Sequence, residues 1–117
     1  MDIIFGIKGN IVIAELLGEV DHHSAAKARA DIDETMDGYG SNDLIFDFSR
    51  VTFMDSSGIG IILGRYRKLS QSGGRVAIVG CSAAVRNILN MAGVFSIIDY
   101  MDSVGEAIEY LSRKEVS

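Results

Sequence analysis

The segment that most constrains the fold is LIFDFSRVTFMDSSGIGIILGRYRKL, which spans residues 44–69. Its first part, up to Met54, is rich in β-forming residues and predicts a buried strand. After Gly58 the apolar residues recur with the period of a helix of about four turns, which packs one face on the sheet. The residues of that face are Ile59, Ile62, Leu63, Tyr66 and Leu69. Ser56 and Ser57 therefore lie at a strand-to-helix junction.

The start of a helix is a favourable place for negative charge. Its first backbone N–H groups have no partner within the helix, and the helix dipole is positive there. The segment Asp55-Ser56-Ser57-Gly58 places two hydroxyl groups at such a start. The sequence therefore predicts that this junction suits an anion or a phosphorylated side chain.

The first third of the chain predicts a β-hairpin followed by a helix. Residues 3–7 and residues 11–17 are apolar runs joined by a short turn, which is typical of a hairpin. Over residues 25–39 the apolar residues recur at helical spacing, and Asp21 or Ser24 can serve as the N-cap. A glycine-containing loop then leads into the central strand.

The last third of the chain predicts two more strands and two more helices. Residues 75–79 form a buried strand, and the helix that follows can be capped by Ser82 and ended by Gly93. One last short strand is expected at Phe95, Ile97 and Ile98. A closing helix begins near Ser103. The order ββαβαβαβα implies an α/β fold with about four helices and a mostly parallel sheet, in which the hairpin is antiparallel.

The composition is that of one ordinary domain over residues 1–117, with 48% hydrophobic and 23% charged residues. The net charge of -5 argues against nucleic acid, which requires clustered basic residues. The short basic set of Arg65, Arg67 and Lys68 is expected on a solvated helix face. No apolar run approaches the ~20 residues of a membrane span. With a single cysteine, Cys81, and no signal peptide, we expect a cytoplasmic protein without a membrane partner.

Three kinds of chemistry fit the sequence less well than a binding module with a modified serine. Ser57, His22 or His23, and Asp21 or Asp55 could supply a Ser-His-Asp hydrolase, because both loops follow strands of the sheet. The G-x-S-x-G elbow of such enzymes is absent. The adjacent histidines do not converge on one metal ion, and no nucleotide-binding glycine motif is present. A small nucleotide-binding or hydrolytic α/β protein stays as the alternative.

Three segments carry a resemblance to a known family. They are FMDSSGIGIILGRYRKL, the preceding GEVDHHSA and the following NMAGVFSII. Together they resemble the STAS-domain anti-sigma factor antagonists over essentially the whole chain, and the extended GEVDHH and GIILGRY segments favour the sporulation members. The resemblance implies an α/β STAS fold and a regulatory protein with no catalytic activity, cofactor or metal.

The resemblance also implies a phosphorylation switch. In the family, the serine immediately before the glycine of this motif is the regulatory phosphorylation site, which is Ser57 here. The unphosphorylated form binds an anti-sigma factor that is also a serine kinase, and so frees the sporulation sigma factor. The kinase phosphorylates and releases the antagonist, and a serine phosphatase resets it. The candidate partner-binding residues around the switch are Asp21, Asp55, Ser56, Gly58, Ile59 and Arg65.

Two expectations follow for the central helix. Its first N–H groups are expected to accommodate the phosphate by donating hydrogen bonds to it, so that the fold survives modification. Gly60 and Gly64 lie inside the predicted helix, where each glycine costs about 1 kcal/mol relative to alanine. A close approach of that helix face to the sheet, to another helix or to a partner is the expected reason for them.

Overall fold

The strand predicted from Leu44 forms the centre of a five-stranded sheet. The computed structural model describes residues 1–113. Its strands are β1 (Asp2–Lys8), β2 (Ile11–Val20), β3 (Asp43–Met54), β4 (Val76–Val79) and β5 (Asp99–Met101). Its helices are α1 (Ala25–Tyr39), α2 (Ser56–Ser70), α3 (Ala83–Met91) and α4 (Val104–Ser112), with a 3-10 turn at Val94–Ser96. The element order is the one predicted from the sequence.

The strands lie in the sheet in the order in which they occur in the chain, β1-β2-β3-β4-β5. β1 and β2 are antiparallel, and the other three neighbouring pairs are parallel. Each parallel pair is joined through a helix, which is the crossover connection that parallel strands require. The prediction of a mostly parallel sheet with one antiparallel hairpin is confirmed.

Helices cover both faces of the sheet. α1, α2 and α3 pack on one face, where Leu44 and Phe46 of β3 meet Ile62 of α2. α4 covers the opposite face, where Ile45 of β3 meets Leu111. Successive side chains of a strand point to opposite faces, so β3 is buried on both sides. That double burial explains the nearly continuous apolar run that predicted this strand.

Two irregularities bring the carboxyl ends of β2 and β3 side by side. The register between these strands shifts twice between Glu15 and Glu19. Gly18, within this stretch, has a φ of 92°, a conformation that glycine adopts without strain. Beyond the shifts, the N–H of Asp55 donates to the carbonyl of Val20 at 3.1 Å. The loops that follow the two strands therefore leave the sheet next to each other.

The last strand lies later in the chain than predicted. The sequence places it at Phe95, Ile97 and Ile98, whereas β5 spans Asp99–Met101. Phe95 instead lies in the 3-10 turn and Ile97 and Ile98 follow it, with the N–H of Ile98 donating to the carbonyl of Val94 at 3.0 Å. Val94 and Ile98 are both buried, and their spacing is that of a helical turn. The existence of a last strand is confirmed, and its predicted position is wrong.

The ends of α3 agree with the sequence, whereas the interior glycines of α2 do not. Ser82 Oγ accepts a hydrogen bond from the N–H of Val85 at 3.2 Å, and Gly93, with a φ of 77°, follows the end of the helix. A Cβ built at Gly60 or Gly64 would meet no atom within 4 Å. The expected close approach of these two glycines to another element of the domain is therefore wrong.

Candidate functional site

Asp55 joins the two loops at the carboxyl ends of β2 and β3. It is the N-cap of α2, and its Oδ1 accepts a hydrogen bond from the N–H of Ser57 at 2.8 Å. Its Oδ2 accepts a hydrogen bond from the N–H of His22 at 3.3 Å. A carboxylate is suited to this position because both oxygens accept, and because its charge faces the positive end of the helix. The side chain thus holds the start of α2 against the loop after β2.

Asp21 organises the loop between β2 and α1. Its Oδ1 accepts hydrogen bonds from the N–H groups of His23 and Ser24, both at 3.0 Å. The hydrogen bond from the Ser24 amide lowers the pKa of Asp21 below its ordinary value, and desolvation opposes it more weakly. Of the two predicted N-caps, Ser24 is the residue in the N-cap position, but its side chain makes no capping hydrogen bond. The side-chain acceptor before the helix is Asp21. Asp21 is therefore an ionised carboxylate at neutral pH.

Ser57 lies half-buried in the first turn of α2. Its N–H is paired with Asp55 Oδ1, and the N–H of Gly58 donates to the Asp55 carbonyl at 3.0 Å. The expectation that the first amides of this helix are unpaired is therefore wrong for these two residues. By contrast, the Ser57 hydroxyl makes no hydrogen bond within residues 1–113. The hydroxyl of Ser57, unlike its own backbone N–H, is therefore available at this junction.

The surroundings of Ser57 do not form a catalytic triad. Within the described part of the chain, its hydroxyl makes no hydrogen bond to His22 or His23. The Asp55 carboxylate accepts from backbone N–H groups and not from an imidazole. A serine nucleophile needs a base within hydrogen-bond reach. Residues 1–113 also contain no group of three or more His, Cys, Asp or Glu side chains placed to hold a metal ion. Within the described residues, the Ser57 hydroxyl therefore has no general base in hydrogen-bond contact.

Three more of the predicted partner-binding residues lie in the first turn of α2, and they differ in exposure. Ser56 is exposed beside Ser57, and Ile59 is half-buried against the main core. Gly58 is buried, and a Cβ at this position would lie 2.5 Å from Met54 Cγ. Glycine is what allows the start of α2 to approach β3 so closely. Ser56 and part of Ile59 are therefore accessible at the surface, whereas Gly58 shapes the site from inside.

Arg65 differs from the sequence prediction. It was expected on a solvated face with Arg67 and Lys68, but only 8% of Arg65 is exposed. Its Nε lies 2.9 Å from Asp33 Oδ1, across the contact between α2 and α1. Desolvation lowers the pKa of Arg65, and the charge of Asp33 opposes this effect. The predicted solvent exposure is wrong, and little of Arg65 is left for a partner to contact.

A groove opens between the first turns of α1 and α2. It has a volume of about 290 Å³ and is called the Ser57 groove below. Its lining residues are His22, Ala25, Ala26, Arg29, Ser57, Gly60 and Ile61. A larger cavity of about 930 Å³ is lined by Asp21, His23 and Ser24, and Ser57 does not line it. The hydroxyl of interest therefore faces the smaller of these two spaces.

Arg29 belongs to this site, although sequence analysis did not single it out. It lies on α1, is exposed, and lines the Ser57 groove opposite α2. Arg29 follows Ala25 by four residues, so a helix places both on one face. The sequence does show a basic residue one turn after the start of α1, which follows the loop that contains Asp21. The sequence alone did not show that this turn meets the start of α2.

The fold and the site together define a class of protein. It is a small α/β domain in which a pair of serines begins the helix after the central strand, beside an acidic loop. The STAS domain family matches residues 3–107, and the chain belongs to that family. Within residues 1–113, no helix is both long enough and apolar enough to cross a membrane.

Similar proteins are named anti-sigma factor antagonists. The chain is 35% identical over 101 residues to the anti-sigma F factor antagonist of Paenibacillus polymyxa, and the match covers 86% of each chain. It is also similar to the structure of the anti-sigma factor antagonist SpoIIAA in its unphosphorylated form, with a TM-score of 0.83 and 30% identity, over 95% of this chain and 96% of that one. For the Bacillus cell fate determinant SpoIIAA in the phosphorylated form, the TM-score is 0.74 at 30% identity, over 93% and 98% of the chains.

Proposed function

We propose that this protein is an anti-sigma factor antagonist that binds its anti-sigma factor when unphosphorylated and is released when Ser57 is phosphorylated. The observation that carries the proposal is the Ser57 hydroxyl, which has no hydrogen-bond partner within residues 1–113. It lies at the start of α2, which Asp55 joins to the loop between β2 and α1. Two findings support it. The matched relatives are named anti-sigma factor antagonists, and one similar structure is of a phosphorylated form.

A phosphate on Ser57 changes the surface more than the fold. It adds about -1.5 to -2 of charge next to the Asp55 carboxylate and near that of Asp21. In a docked complex from which water is excluded, this charge is both unpaired and repelled. Phosphorylation therefore destabilises the complex, whereas in the free protein the phosphate stays in contact with water.

The size of the required effect places Ser57 inside the interface. Inverting a bound population from 99:1 to 1:99 takes about 5.5 kcal/mol. An exposed charge pair contributes ~1 kcal/mol or less, which is too little. A buried charge without a partner contributes several kcal/mol, which is enough. A switch at this serine therefore works when the partner covers Ser57 itself.

The recognition surface in this proposal centres on the residues that surround Ser57 and are accessible. Asp21, Asp55 and Ser56 contact the partner directly, and Ile59 adds apolar surface at the next turn. Gly58 contributes by letting α2 approach β3, and Arg65 contributes by holding α2 on α1. These last two residues act on the partner through the shape of the site.

The proposed partners are an anti-sigma factor with serine kinase activity and a serine phosphatase that acts on the phosphorylated form. By analogy with the relatives named for sigma F, the sigma factor that is freed is a sporulation factor. The cycle takes place in the cytoplasm and regulates transcription without contact between this chain and nucleic acid or membrane. The chain itself has no catalytic activity in this scheme.

Mass spectrometry after incubation with an anti-sigma F factor kinase and ATP tests the proposal. We expect one added phosphate, and we expect fragmentation to locate it on Ser57. The Ser57→Ala variant should stay unmodified, whereas the matched control Ser56→Ala should be modified like the parent. A phosphate on Ser56, or no phosphate from a kinase that modifies the Paenibacillus polymyxa relative, would overturn the assignment.

A further inference from the structure

The Ser57 groove has room for a phosphate group. Its volume of about 290 Å³ is many times the roughly 30 Å³ that one molecule of liquid water occupies. Ser57 lines its α2 side and Arg29 its α1 side. Gly60 has no side chain, and a Cβ at this position would meet no atom within 4 Å. A group attached to the Ser57 hydroxyl therefore has open space toward Arg29.

Arg29 carries a positive charge that is not compensated by the described residues. Within residues 1–113 its guanidinium makes no hydrogen bond and no ion pair. Its neighbour Lys27 pairs with Asp31, and Arg65 pairs with Asp33. Desolvation is the main cause that lowers the pKa of Arg65, Asp33 opposes it, and the charge of Arg29 lowers that pKa further from across the helix contact. Arg29 is thus a cation that lines the groove and has no ion-pair partner among residues 1–113.

The start of α2 is a poorer place for this phosphate than the groove. The N–H of Ser57 is paired with Asp55 Oδ1 at 2.8 Å, and that of Gly58 with the Asp55 carbonyl at 3.0 Å. A phosphate that used these amides would have to displace the cap, and it would lie against the Asp55 carboxylate. Repulsion by Asp55 and attraction by Arg29 both turn the phosphate into the groove.

We propose that the phosphate of phosphorylated Ser57 is held in the Ser57 groove by the guanidinium of Arg29. The proposal rests on the phosphorylation of Ser57 in the proposed function. The ligand is a phosphate monoester dianion, and the planar fork of arginine can donate two parallel hydrogen bonds to its oxygens. The pairing joins α1 to α2 in the modified protein, and it fills the groove without a change of fold.

The ionisation of the phosphoserine itself tests this pairing. Full-length protein with phosphoserine at position 57 is made by genetic incorporation, so that no kinase is needed, and its second pKa is followed by phosphorus NMR. A free phosphoserine has a second pKa of about 6, and a nearby cation favours the dianion. We expect a second pKa below that value in the parent protein, and a rise of about 0.5 or more in Arg29→Gln.

Arg67→Gln is the matched control. Arg67 is also an exposed arginine, on α2 but outside the groove, so its replacement should leave the second pKa unchanged. Glutamine is a good helix former, and both variants are expected to fold. Asp21, His22, Asp55 and Arg65 are the other charged or titratable groups around Ser57, and they are the same in all variants. The difference between variants therefore reports Arg29.

Equal second pKa values in the parent and in Arg29→Gln would overturn the proposal, whether both are low or both are near the free value. The phosphate is installed without a kinase, so this outcome leaves the kinase test of the proposed function untouched. Conversely, a kinase that modifies another residue would overturn the proposed function, while the pKa comparison would still measure the affinity of Arg29 for a phosphate at position 57.

Discussion

At the scale of single residues, two carboxylates shape the candidate site by accepting backbone hydrogen bonds. Asp55 caps α2 and accepts a hydrogen bond from the N–H of His22. Asp21 accepts hydrogen bonds from the N–H groups of His23 and Ser24. Each charge therefore stabilises a loop conformation in the free protein. In the proposed switch, the same two charges would disfavour a phosphate on Ser57 under a docked partner.

Asp21 should make the stability of the protein depend on pH in the acid range. Its pKa is lower in the folded state than the ordinary value of 3.8. The stabilisation is present above the unfolded pKa and is lost as the pH falls through the folded pKa. From about pH 6 to about pH 3, we expect the unfolding free energy to fall less in Asp21→Asn than in the parent protein.

Urea denaturation at the two pH values measures this difference. Asp37→Asn, which replaces an exposed aspartate near the end of α1, is the control and should behave like the parent protein. If Asp21→Asn lost as much stability on acidification as the parent, the hydrogen bonds of Asp21 would not be the source of the pH dependence.

At the scale of elements, the position of α2 depends on two contacts at different points along the helix. Gly58 brings its first turn close to Met54 of β3. Farther along, Arg65 joins it to Asp33 of α1. The first contact sets where Ser57 lies relative to the sheet, and the second sets the spacing of α1 and α2, on which the Ser57 groove depends.

The same substitution at two glycines of α2 should have opposite effects. In Gly58→Ala the new methyl group would lie 2.5 Å from Met54 Cγ in the core, and we expect a loss of about 1–3 kcal/mol of unfolding free energy. In Gly60→Ala the methyl group meets open space, and we expect a gain of about 0.5–1 kcal/mol. Denaturant titration of both variants measures the two changes. Effects of equal sign would contradict the packing described for the first turn of α2.

Loss of the counterion of Arg65 should cost more than loss of an exposed ion pair. Asp33→Ala leaves a largely buried guanidinium without its carboxylate, and we expect a loss of about 1–3 kcal/mol. Asp31→Ala removes the exposed pair with Lys27, and we expect a loss of ~1 kcal/mol or less.

A double variant tests whether the unpaired charge of Arg65 causes the loss of stability in Asp33→Ala. When Arg65→Met is added to Asp33→Ala, the unpaired charge is gone and part of the stability should return. Thermal and urea denaturation provide the comparison. If the double variant were less stable than Asp33→Ala alone, the buried charge would not be the cause of the loss.

At the scale of the whole molecule, the sequence predicted the order of the elements and the directions of the strands, because the strongest patterns belong to long or doubly buried elements. β3 is apolar on both faces, and α1 repeats its buried residues at helical spacing. The strand-helix alternation then leaves a parallel sheet as the natural arrangement. The last strand was misplaced because β5 is only three residues long and because Val94 and Ile98, before it, are buried at the spacing of a helical turn.

The buried face of α2 could be predicted only in part. The predicted face and the observed buried face share Ile62 and Leu69, but the observed one also contains Gly58, Ile61 and Arg65. Glycine and arginine are not large apolar residues, so a prediction from the spacing of apolar residues did not place Gly58 and Arg65 on the buried face. Their burial depends on contacts with β3 and α1, which come from distant parts of the chain.

Calorimetric titration with the anti-sigma factor measures whether a charge at Ser57 governs binding, as we propose. We expect the unphosphorylated parent and Ser57→Ala to bind the anti-sigma factor with the same affinity. We expect Ser57→Asp to abolish detectable binding, and phosphoserine at position 57 to weaken binding by about 10⁴-fold. Equal affinities of the anti-sigma factor for Ser57→Ala, Ser57→Asp and the phosphorylated protein would rule out the proposed switch.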